Sequence, residues 1–421
     1  MSDSTSNTHS SLSASNPTAA DKATVTKPSD SSRISIQDPR FKLIALQHIP
    51  EIGPIGQSQL LSHAGSIDKL FDEGIDPNSV PGLRALGRRE LQRFLANPQA
   101  SPQWEAAERT VDWLHQSGAQ VLCKDDQHFP PLLKQLSDCP LLLYLHGDVS
   151  CLAKDSLAIV GARKPHVAGI EFTESLAADL AESGLLIVSG MAIGIDTAAH
   201  RGALSAGGKT AAVWATGLDV IYPPSNLELA HQIAASGCVI TEMPLGTPSL
   251  SSYFPRRNRL VSGMSLGVVV VQAALPSGSL ITAGYAAEQN REVFAVPGSV
   301  KSPLSAGCHQ LIKDGATLVE SAADILQVID SLRAAQRLGT STAAIGRPKT
   351  TRSDIKQQAL IESLSQELRE VLEAIGYDPV PFELIESRLE YSLDNLSTAL
   401  IDLELNGLLS VTGGLYCRHY L

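Results

Sequence analysis

The sequence predicts an α/β protein whose central domain is a doubly wound, mostly parallel sheet. Six short apolar runs between residues 157 and 296 have the length of strands, and helical patterns or turns separate them. Strands that are apolar along their whole length are buried on both faces, as in a parallel sheet covered by helices on both sides. We therefore expect a Rossmann-like domain, with smaller domains before and after it.

The predicted elements of the central domain alternate as such a fold requires. Helical patterns at 172–181 and 197–206 follow the first and second strands. The predicted strands are residues 157–160, 185–188, 210–214, 239–240, 267–271 and 293–296.

The remaining chain divides by composition and periodicity. The first residues are rich in Ser, Thr, Ala and Asn, which predicts a disordered tail. Three helical patterns and a Gly-rich hairpin at the other end indicate a winged helix. The predicted regions are a tail at 1–35, a helical domain at 36–115, a connector at 116–156, the Rossmann-like domain at 157–330, a linker at 331–355 and the winged helix at 356–421.

The turn at residues 49–56 supports two interpretations. Its sequence, Ile-Pro-Glu-Ile-Gly-Pro-Ile-Gly, is similar to a helix-hairpin-helix turn, in which backbone amides at a helix start face a phosphate. The same residues also suit a tight turn inside a small helical domain of the SAM or helix-hairpin-helix type.

Composition predicts a cytoplasmic protein. No apolar run reaches the roughly 18 to 20 residues that span a bilayer. The first 34 residues contain no apolar stretch of the kind found in a secretory signal. The six cysteines form no Cys-x-x-Cys pair, so neither a zinc site nor a disulfide framework is indicated.

The charge distribution restricts how the protein could bind nucleic acid. The formal net charge is −11, and residues 151–330 carry 11 Lys and Arg against 15 Asp and Glu. Residues 354–421 are more acidic still, with 4 basic against 12 acidic side chains. Any phosphate contact must therefore come from a local cluster of cations.

Two candidate phosphate-binding turns follow the first two strands of the predicted sheet, where ligands of parallel sheets bind. The first turn contains Gly161, Arg163 and Lys164, and an arginine there suits bidentate phosphate binding. The second contains Ser189, Gly190 and Gly194 before a helix, which predicts an anion-binding loop. Within it we expect Asp196 to cap the helix, with His200 packed or solvated one turn later.

The segment from Ser252 to Arg259 is the strongest signal for nucleic acid. It places Arg256, Arg257 and Arg259 beside Phe254 and Asn258, in a protein that is otherwise acidic. Cations beside a stacking ring are what a single strand requires, because each base offers a π face worth roughly 1–3 kcal/mol. In the competing interpretation, one arginine forms a structural ion pair with an acidic side chain and Phe254 belongs to the core. A further turn offers hydroxyls and amides at Ser277, Gly278, Ser279 and Thr282.

Three catalytic or cofactor patterns fail on their context. Residues 207–210 resemble the end of a P-loop but precede a strand instead of following one, and 263–267 match Gly-x-Ser-x-Gly with the strand and helix reversed. The fingerprint Gly-x-Gly-x-x-Gly is absent from both strand-helix turns. We therefore predict no cofactor, no metal and no enzymatic activity.

These motifs closely resemble the DNA processing protein A (DprA, or Smf) family over about 160 residues. The matching pieces are 161–163, 189–190, 194–196, 199–200, 216–219, 222–223, 254–255, 257–259, 277–282, 295–298, 307–309, 311–312 and 315–316.

The resemblance implies a protein that binds incoming single-stranded DNA in natural transformation, protects it and helps load the RecA recombinase. It also implies a homodimer, formed through positions that match His309, Ile312 and Leu318. The residues expected to bind DNA are Gly161, Arg163, Lys164, Ser189, Gly190, Gly194, Arg201, Gly217, Phe254, Arg256, Arg257, Asn258, Arg259, Ser277, Gly278, Ser279 and Thr282.

The chain departs from the family at two positions that are basic in other members. Here they are Ile193 and Pro224, which predicts weaker DNA binding or compensation by another cation. The candidates for compensation are Lys164, Arg201, Lys209 and Arg256.

The winged helix also lacks the charge for duplex binding. Its predicted groove helix, residues 394–407, contains three acidic side chains and no Lys or Arg, which favours a role in protein interaction or regulation.

Two alternative functions remain at this point. One is an enzyme or sensor of a related Rossmann-like group that binds nucleotides or cleaves N-glycosidic bonds, although the acidic residue beside a Gly-Gly-Thr loop is not found. The other is an assembly protein whose dimer and winged helix act without DNA contact.

Overall fold

The computed structural model describes residues 34–337, 364–375, 380–389, 391–406, 408–412 and 415–418. Residues 1–33 of the predicted tail, and residues 338–355 of the predicted linker, lie outside these ranges. Across the described residues, no helix has the length and apolarity needed to cross a membrane.

A nine-stranded, mostly parallel sheet forms the centre of the molecule, as the apolar runs predicted. Its spatial order is β1-β2-β6-β5-β4-β3-β7-β8-β9, with β3 to β9 parallel. The strands are β1 (Gln120–Cys123), β2 (Leu142–Gly147), β3 (Ser156–Gly161), β4 (Leu186–Ser189), β5 (Thr210–Val213), β6 (Cys238–Thr241), β7 (Gly267–Val271), β8 (Glu292–Ala295) and β9 (Thr317–Leu318).

Helices cover both faces of this sheet. The helices α6 (Val167–Glu182), α7 (Ile195–Ser205) and α12 (Ala322–Arg337) pack on one face, against Leu157 and Ile159 of β3. The helices α9 (Tyr253–Gly263), α10 (Gly278–Glu288) and α11 (Ala306–Lys313) pack on the other, against Ala158 and Val160. Successive strand residues face opposite sides, which is why β3 is apolar throughout. The helix α8 (Leu227–Ser236) covers β5 and β6.

The strands β1 and β2 were not predicted as members of the sheet. They lie in the segment interpreted as a connector, and they extend the sheet as an antiparallel hairpin next to β6. Leu122 and Leu143 face the core of the central sheet, whereas Val121 and Tyr144 face the N-terminal helices. One hairpin thus contributes to two cores.

The N-terminal region is helical, as predicted. Its helices are α1 (Pro39–Gln47), α2 (Pro54–Ala64), α3 (Ile67–Asp72), α4 (Ala85–Ala96) and α5 (Pro102–Ser117). Phe41, Leu60, Leu91 and Trp104 are buried in their common core. Within the turn with two interpretations, Gly53 precedes α2 without a side-chain cap, and residues 54–56 are the first residues of that helix.

The described part of the C-terminal region has the helices and strands of a winged helix. Its helices are α13 (Gln366–Ile375), α14 (Phe382–Glu386) and α15 (Leu393–Leu405). Its strands β10 (Val380–Pro381), β11 (Leu409–Thr412) and β12 (Leu415–Arg418) pair in the order β10-β12-β11.

Candidate nucleic-acid interface

The carboxyl ends of β3 and β7 form the point where the strand order reverses. From β3 the chain continues to β4 on one side, while β7 lies on the other side and leads to β8. Ligands of open parallel sheets bind in the crevice at this point. Gly161 ends β3 here, and the backbones are so close that a β-carbon at position 161 would lie 1.9 Å from the carbonyl oxygen of Val271.

An exposed arginine and an aromatic ring meet at this crevice. Arg163 follows β3 and is exposed, and its guanidinium carbon lies 5.6 Å from the ring centroid of Phe254. Phe254 belongs to the first turn of α9, which starts at the carboxyl edge because a helix leading into a parallel strand runs antiparallel to it. Tyr222 is 42% exposed, with its ring centroid 5.6 Å from that of Phe254. Lys164 is exposed beside Arg163.

Arg257 lies under this surface and is only 4% exposed. Its Nη1 donates to the carbonyl oxygens of Gly190 and Val213, at the ends of β4 and β5. Its guanidinium carbon is 5.9 Å from the Phe254 centroid. Burial lowers the pKa of Arg257 to about 10, with the charge of Arg163 acting in the same direction and Asp196 opposing it. Arg257 is therefore a buried cation that joins two strand ends and the ring.

Asp196 has a different role from the helix cap that we predicted. Gly194, at a φ of 88°, occupies the cap position of α7, and the Asp196 carboxylate accepts hydrogen bonds from the amides of Gly190 (3.1 Å) and Ala192 (3.3 Å). Burial raises the pKa of Asp196, and the charge of Arg257 opposes this shift. A protein carboxylate thus already holds two amides of the predicted anion-binding loop.

His200 is packed in the interior, one of the two positions we considered for it. Its Nδ1 lies 2.7 Å from Oγ1 of Thr210, and Nε2 has no hydrogen-bond partner among the described residues. Burial, followed by the charge of Arg257, lowers the pKa of His200 to about 3. The imidazole is therefore neutral near neutral pH.

The other two arginines of the predicted phosphate-binding segment are held by carboxylates. Arg259 is 5% exposed and pairs with Glu242 and, at 3.2 Å, with Asp138. Arg256 pairs with Glu242 at 3.1 Å and remains partly exposed. The expectation that three adjacent arginines bind phosphate conflicts with this arrangement, because Arg257 and Arg259 are buried and already bound.

The turn at the start of α10 is also largely occupied by its own contacts. Ser277 caps the helix, and its Oγ lies 2.6 Å from that of Ser279. Ser279 and Thr282 are buried, whereas Gly278 is exposed and its carbonyl accepts from Asn258 at 3.3 Å. Of the four residues that we predicted in this turn, Gly278 is the exposed one.

Among the other predicted residues, Ser189 and Gly217 are buried. The hydroxyl of Ser189 donates to the carbonyl of Ile159 at 2.6 Å. A β-carbon at position 217 would lie 2.5 Å from the Asp219 carboxylate, so Gly217 is a close-packing position. Both residues therefore pack in the interior, at the carboxyl edge of the sheet.

Comparison with known proteins identifies the family of this chain. A family model described as DNA recombination-mediator protein A matches residues 120–330, and a model described as the DprA winged helix domain matches residues 356–414. The chain belongs to the DprA/Smf family. The sequence-based prediction of the family is thereby confirmed.

Relatives from two bacteria have the same family name. Protein Smf of Escherichia coli is 35% identical over 331 residues, which cover 78% of this chain and 84% of that protein. The DNA processing protein DprA of Streptococcus pneumoniae is 45% identical over 201 residues, or 48% of this chain and 71% of that protein. The solved structure of the S. pneumoniae DprA superposes with a TM-score of 0.59 at 33% identity, covering 70% of this chain and 98% of that one.

The structure separates the cations proposed to compensate for the two non-basic positions of this DprA/Smf chain. Ile193 is 43% exposed and Pro224 is exposed, so both positions face solvent. Lys209 immediately precedes β5, at the amino edge of the sheet, and pairs with Asp148 at 3.4 Å. Arg201 is exposed in the middle of α7, whereas Lys164 adjoins the crevice. Of these three candidates, Lys164 is the one that lies beside the crevice.

The residues that we predicted for a dimer interface lie near the β9 edge of the sheet. Leu318, on β9 itself, is 46% exposed. Ile312 of α11 is half-buried, and Nε2 of His309 lies 3.1 Å from the carbonyl oxygen of Gly298.

Two features of the site were missed by sequence reasoning. Tyr222 was quoted as part of a family motif but was not assigned to the site, although its position after the turn that follows β5 was a usable signal. The burial of Arg257 and Arg259 had no local signal, because the carbonyl oxygens and the carboxylate that hold their terminal nitrogens belong to residues 17 to 121 positions away in sequence.

Proposed function

We propose that this protein binds single-stranded DNA in the crevice between the carboxyl ends of β3 and β7. The observation that carries the proposal is Arg163, an exposed cation 5.6 Å from the centroid of the partly exposed Phe254 ring. A cation next to a ring offers one contact for a phosphate and one for an unstacked base. Lys164 adds a second exposed cation to the same loop.

This arrangement favours a single strand over a duplex. Bases in a duplex are stacked on each other, whereas those of a single strand are free to stack on Phe254 or Tyr222. The chain has a formal net charge of −11, which repels phosphates on average. Binding is nevertheless possible because the cations of the loop after β3 are concentrated in one small region, where the phosphates would bind. The relatives named as DNA processing proteins support DNA as the ligand.

We further propose that the protein acts in the cytoplasm as a homodimer, protects incoming DNA in natural transformation and loads the RecA recombinase onto it. The family description as a recombination mediator supports the recombinase step. The exposed Leu318 on the edge strand β9 supports association of two copies, because an edge strand offers unpaired backbone groups to a second chain.

The proposed role is binding without catalysis. Asp196, the carboxylate nearest to the glycine-rich loop, is buried and bonded to the amides of Gly190 and Ala192. It therefore does not face the crevice as a general base would. Incubation with nucleoside monophosphates tests this point, and release of free base at a rate that depends on Asp196 would support the N-glycosidase alternative instead.

The binding proposal is tested with Arg163→Ala combined with Lys164→Ala. Fluorescence anisotropy with labelled oligo-dT, repeated over a range of salt concentrations, measures the affinity and its salt dependence. We expect at least about tenfold weaker binding and a salt slope reduced by about 0.7 for each phosphate that is no longer bound. Lys154→Ala is the matched control, because Lys154 is exposed just before β3, at the opposite edge of the sheet.

Unchanged affinity in the double variant, with a folded protein, would leave the crevice without a DNA role. Equal losses in the double variant and in Lys154→Ala would indicate general electrostatic attraction and would also contradict the proposal.

A further inference from the structure

We infer that Arg257 and Asp196 are positioning residues that hold the single-strand site from below without touching DNA. The inference rests on the proposed function, and it assigns Arg257 a role opposite to that of a phosphate ligand. It is based on four neighbouring residues that follow one another from the interior to the surface: Asp196, Arg257, Phe254 and the exposed Arg163.

The surroundings of Arg257 leave no room for a phosphate. The side chain is 4% exposed, and Nη1 is bound by the carbonyls of Gly190 and Val213. A β-carbon at position 190 would lie 2.6 Å from the guanidinium carbon, so the backbone of Gly190 is in direct contact with the cation. The Nε donates to the side-chain oxygen of Asn258 at 3.1 Å. Arg257 thus fixes the ends of β4 and β5 relative to α9.

Asp196 stabilises the same assembly by charge and by hydrogen bonds. A buried arginine without a nearby anion is costly, because the desolvated charge is not compensated. Asp196 is the nearby anion, because its carboxylate accepts from the amide of Gly190 while Arg257 donates to the carbonyl oxygen of the same residue. Its carboxylate also binds the amides of Gly190 and Ala192, which a phosphate would otherwise need. Asp196 therefore closes this part of the loop to the DNA backbone.

The Phe254 ring connects the buried Arg257 to the exposed Arg163. Both guanidinium groups lie near the same ring, Arg257 at 5.9 Å and Arg163 at 5.6 Å from its centroid. A cation near an aromatic face is attracted to it, more strongly when desolvated. The buried cation therefore fixes the ring that the exposed cation rests on. Removal of Arg257 is expected to displace both Phe254 and Arg163.

A double-mutant cycle between Arg257 and Arg163 tests the inference. The variants are Arg257→Gln, Arg163→Ala and their combination, each measured with oligo-dT at one salt concentration. If Arg257 acts through Arg163, its substitution weakens binding about tenfold in the natural chain and less than about threefold when Arg163 is already replaced. Two residues that contact separate phosphates would instead show effects that multiply, and this result would overturn the inference.

Arg259→Gln is the matched control. Arg259 lies on the same helix and is equally buried, but its partners are Glu242 and Asp138 instead of the strand ends. We expect the folded fraction of this variant to bind oligo-dT with unchanged affinity. If Arg257→Gln does not fold, Arg257→Lys replaces it in the cycle, because lysine keeps the buried charge but not the planar contact with two carbonyls.

Asp196→Ala provides a second measurement. It frees the amides of Gly190 and Ala192, so a rise in affinity would show that these amides are phosphate ligands and would contradict the inference. We expect a loss of affinity. Failure of the inference and of the proposed function are distinguishable: if Arg163→Ala leaves binding unchanged, the site itself is wrong, whereas additive effects of Arg163 and Arg257 reject only the positioning role.

Discussion

The guanidinium of Arg257 occupies the space next to Gly190 that a side chain would need. Its central carbon lies 2.6 Å from the place where a β-carbon of residue 190 would stand. Glycine at this position is therefore required by a buried side chain 67 residues later in the chain. The requirement is steric, and it links the loop after β4 to helix α9.

This contact predicts that Gly190→Ala is destabilising. An added methyl group must displace the Arg257 guanidinium, and overpacking of this kind costs about 1–3 kcal/mol. Urea denaturation measures the change in the free energy of unfolding, and oligo-dT binding should weaken in parallel. Gly284→Ala is the control, because Gly284 lies in α10 with nothing within 4 Å of its added β-carbon. A Gly190→Ala protein as stable as the natural chain would contradict the contact.

The Phe254 ring is expected to contribute base stacking. Phe254→Leu keeps an apolar side chain but removes the π face, and the absence of one stacked base costs about 1–3 kcal/mol of binding. The measurement compares oligo-dT with an abasic oligonucleotide of the same length. Affinity for oligo-dT should fall more than affinity for the abasic strand, which loses only the support that the ring gives to Arg163. Equal losses for both strands would show that the ring only supports phosphate contacts.

Glu242 is predicted to stabilise the fold and not the DNA site. It is 2% exposed and binds both Arg256 and Arg259. Glu242→Gln leaves the buried Arg259 with less compensation, and breaking a buried pair costs about 3–5 kcal/mol. Glu228→Gln, at an exposed position on α8, should change stability by less than about 0.5 kcal/mol. Similar unfolding midpoints for the two variants would argue against the buried pair.

His200 predicts acid sensitivity. Its pKa in the folded protein is about 3 against an ordinary value of 6.5, because burial opposes its protonation. Between these pH values the unfolded chain binds the proton and the folded chain does not. The free energy of unfolding therefore falls as pH is lowered from 6.5 towards 3, by up to about 1.4 kcal/mol per pH unit.

The His200→Gln variant should show a flatter dependence of stability on pH in this range. Denaturant unfolding at several pH values provides the measurement, with His146→Gln, at an exposed position, as the control. An unchanged slope in His200→Gln would place the acid sensitivity elsewhere.

The edge strand β9 predicts a variant that no longer dimerises. Leu318→Glu places a charge in the proposed contact between two copies, where burial without a partner is unfavourable. Sedimentation velocity should show a monomer, while Leu227→Glu should keep the mass of the natural protein. Leu227 is 47% exposed, like Leu318 at 46%, and lies on α8 near the other end of the sheet. Identical sedimentation of both variants would exclude β9 as the interface.

The central strands were predictable because their apolar runs reflect burial on both faces, a local property of the sequence. The six predicted strands coincide with β3 to β8, and each boundary agrees within one residue. The hairpin of β1 and β2 was not predicted, since its pairing with β6 depends on residues about 95 positions away. Helix α9 was interpreted as a binding segment for a related reason: exposure of an arginine depends on distant partners such as Glu242 and Gly190.

The location of the crevice was predictable from the sequence, whereas the roles of several residues around it were not. Strand ends and glycines located it, and Arg163 and Lys164 are exposed there as expected. The role of Asp196 was wrong because a helix cap and a loop anchor look the same in sequence. Both require an aspartate near a helix start, and only the hydrogen bonds to Gly190 and Ala192 separate them.

The β1–β2 hairpin makes the N-terminal helices inseparable from the sheet. Val121 and Tyr144 are covered by those helices, and the Tyr144 hydroxyl donates to Gln47 at 2.7 Å. A shortened chain that starts at residue 120 would keep all nine strands but leave one face of the hairpin bare. Such a fragment is expected to self-associate through that exposed apolar face. A shortened protein that contains only the sheet would therefore require new polar residues on the outer side of β1 and β2.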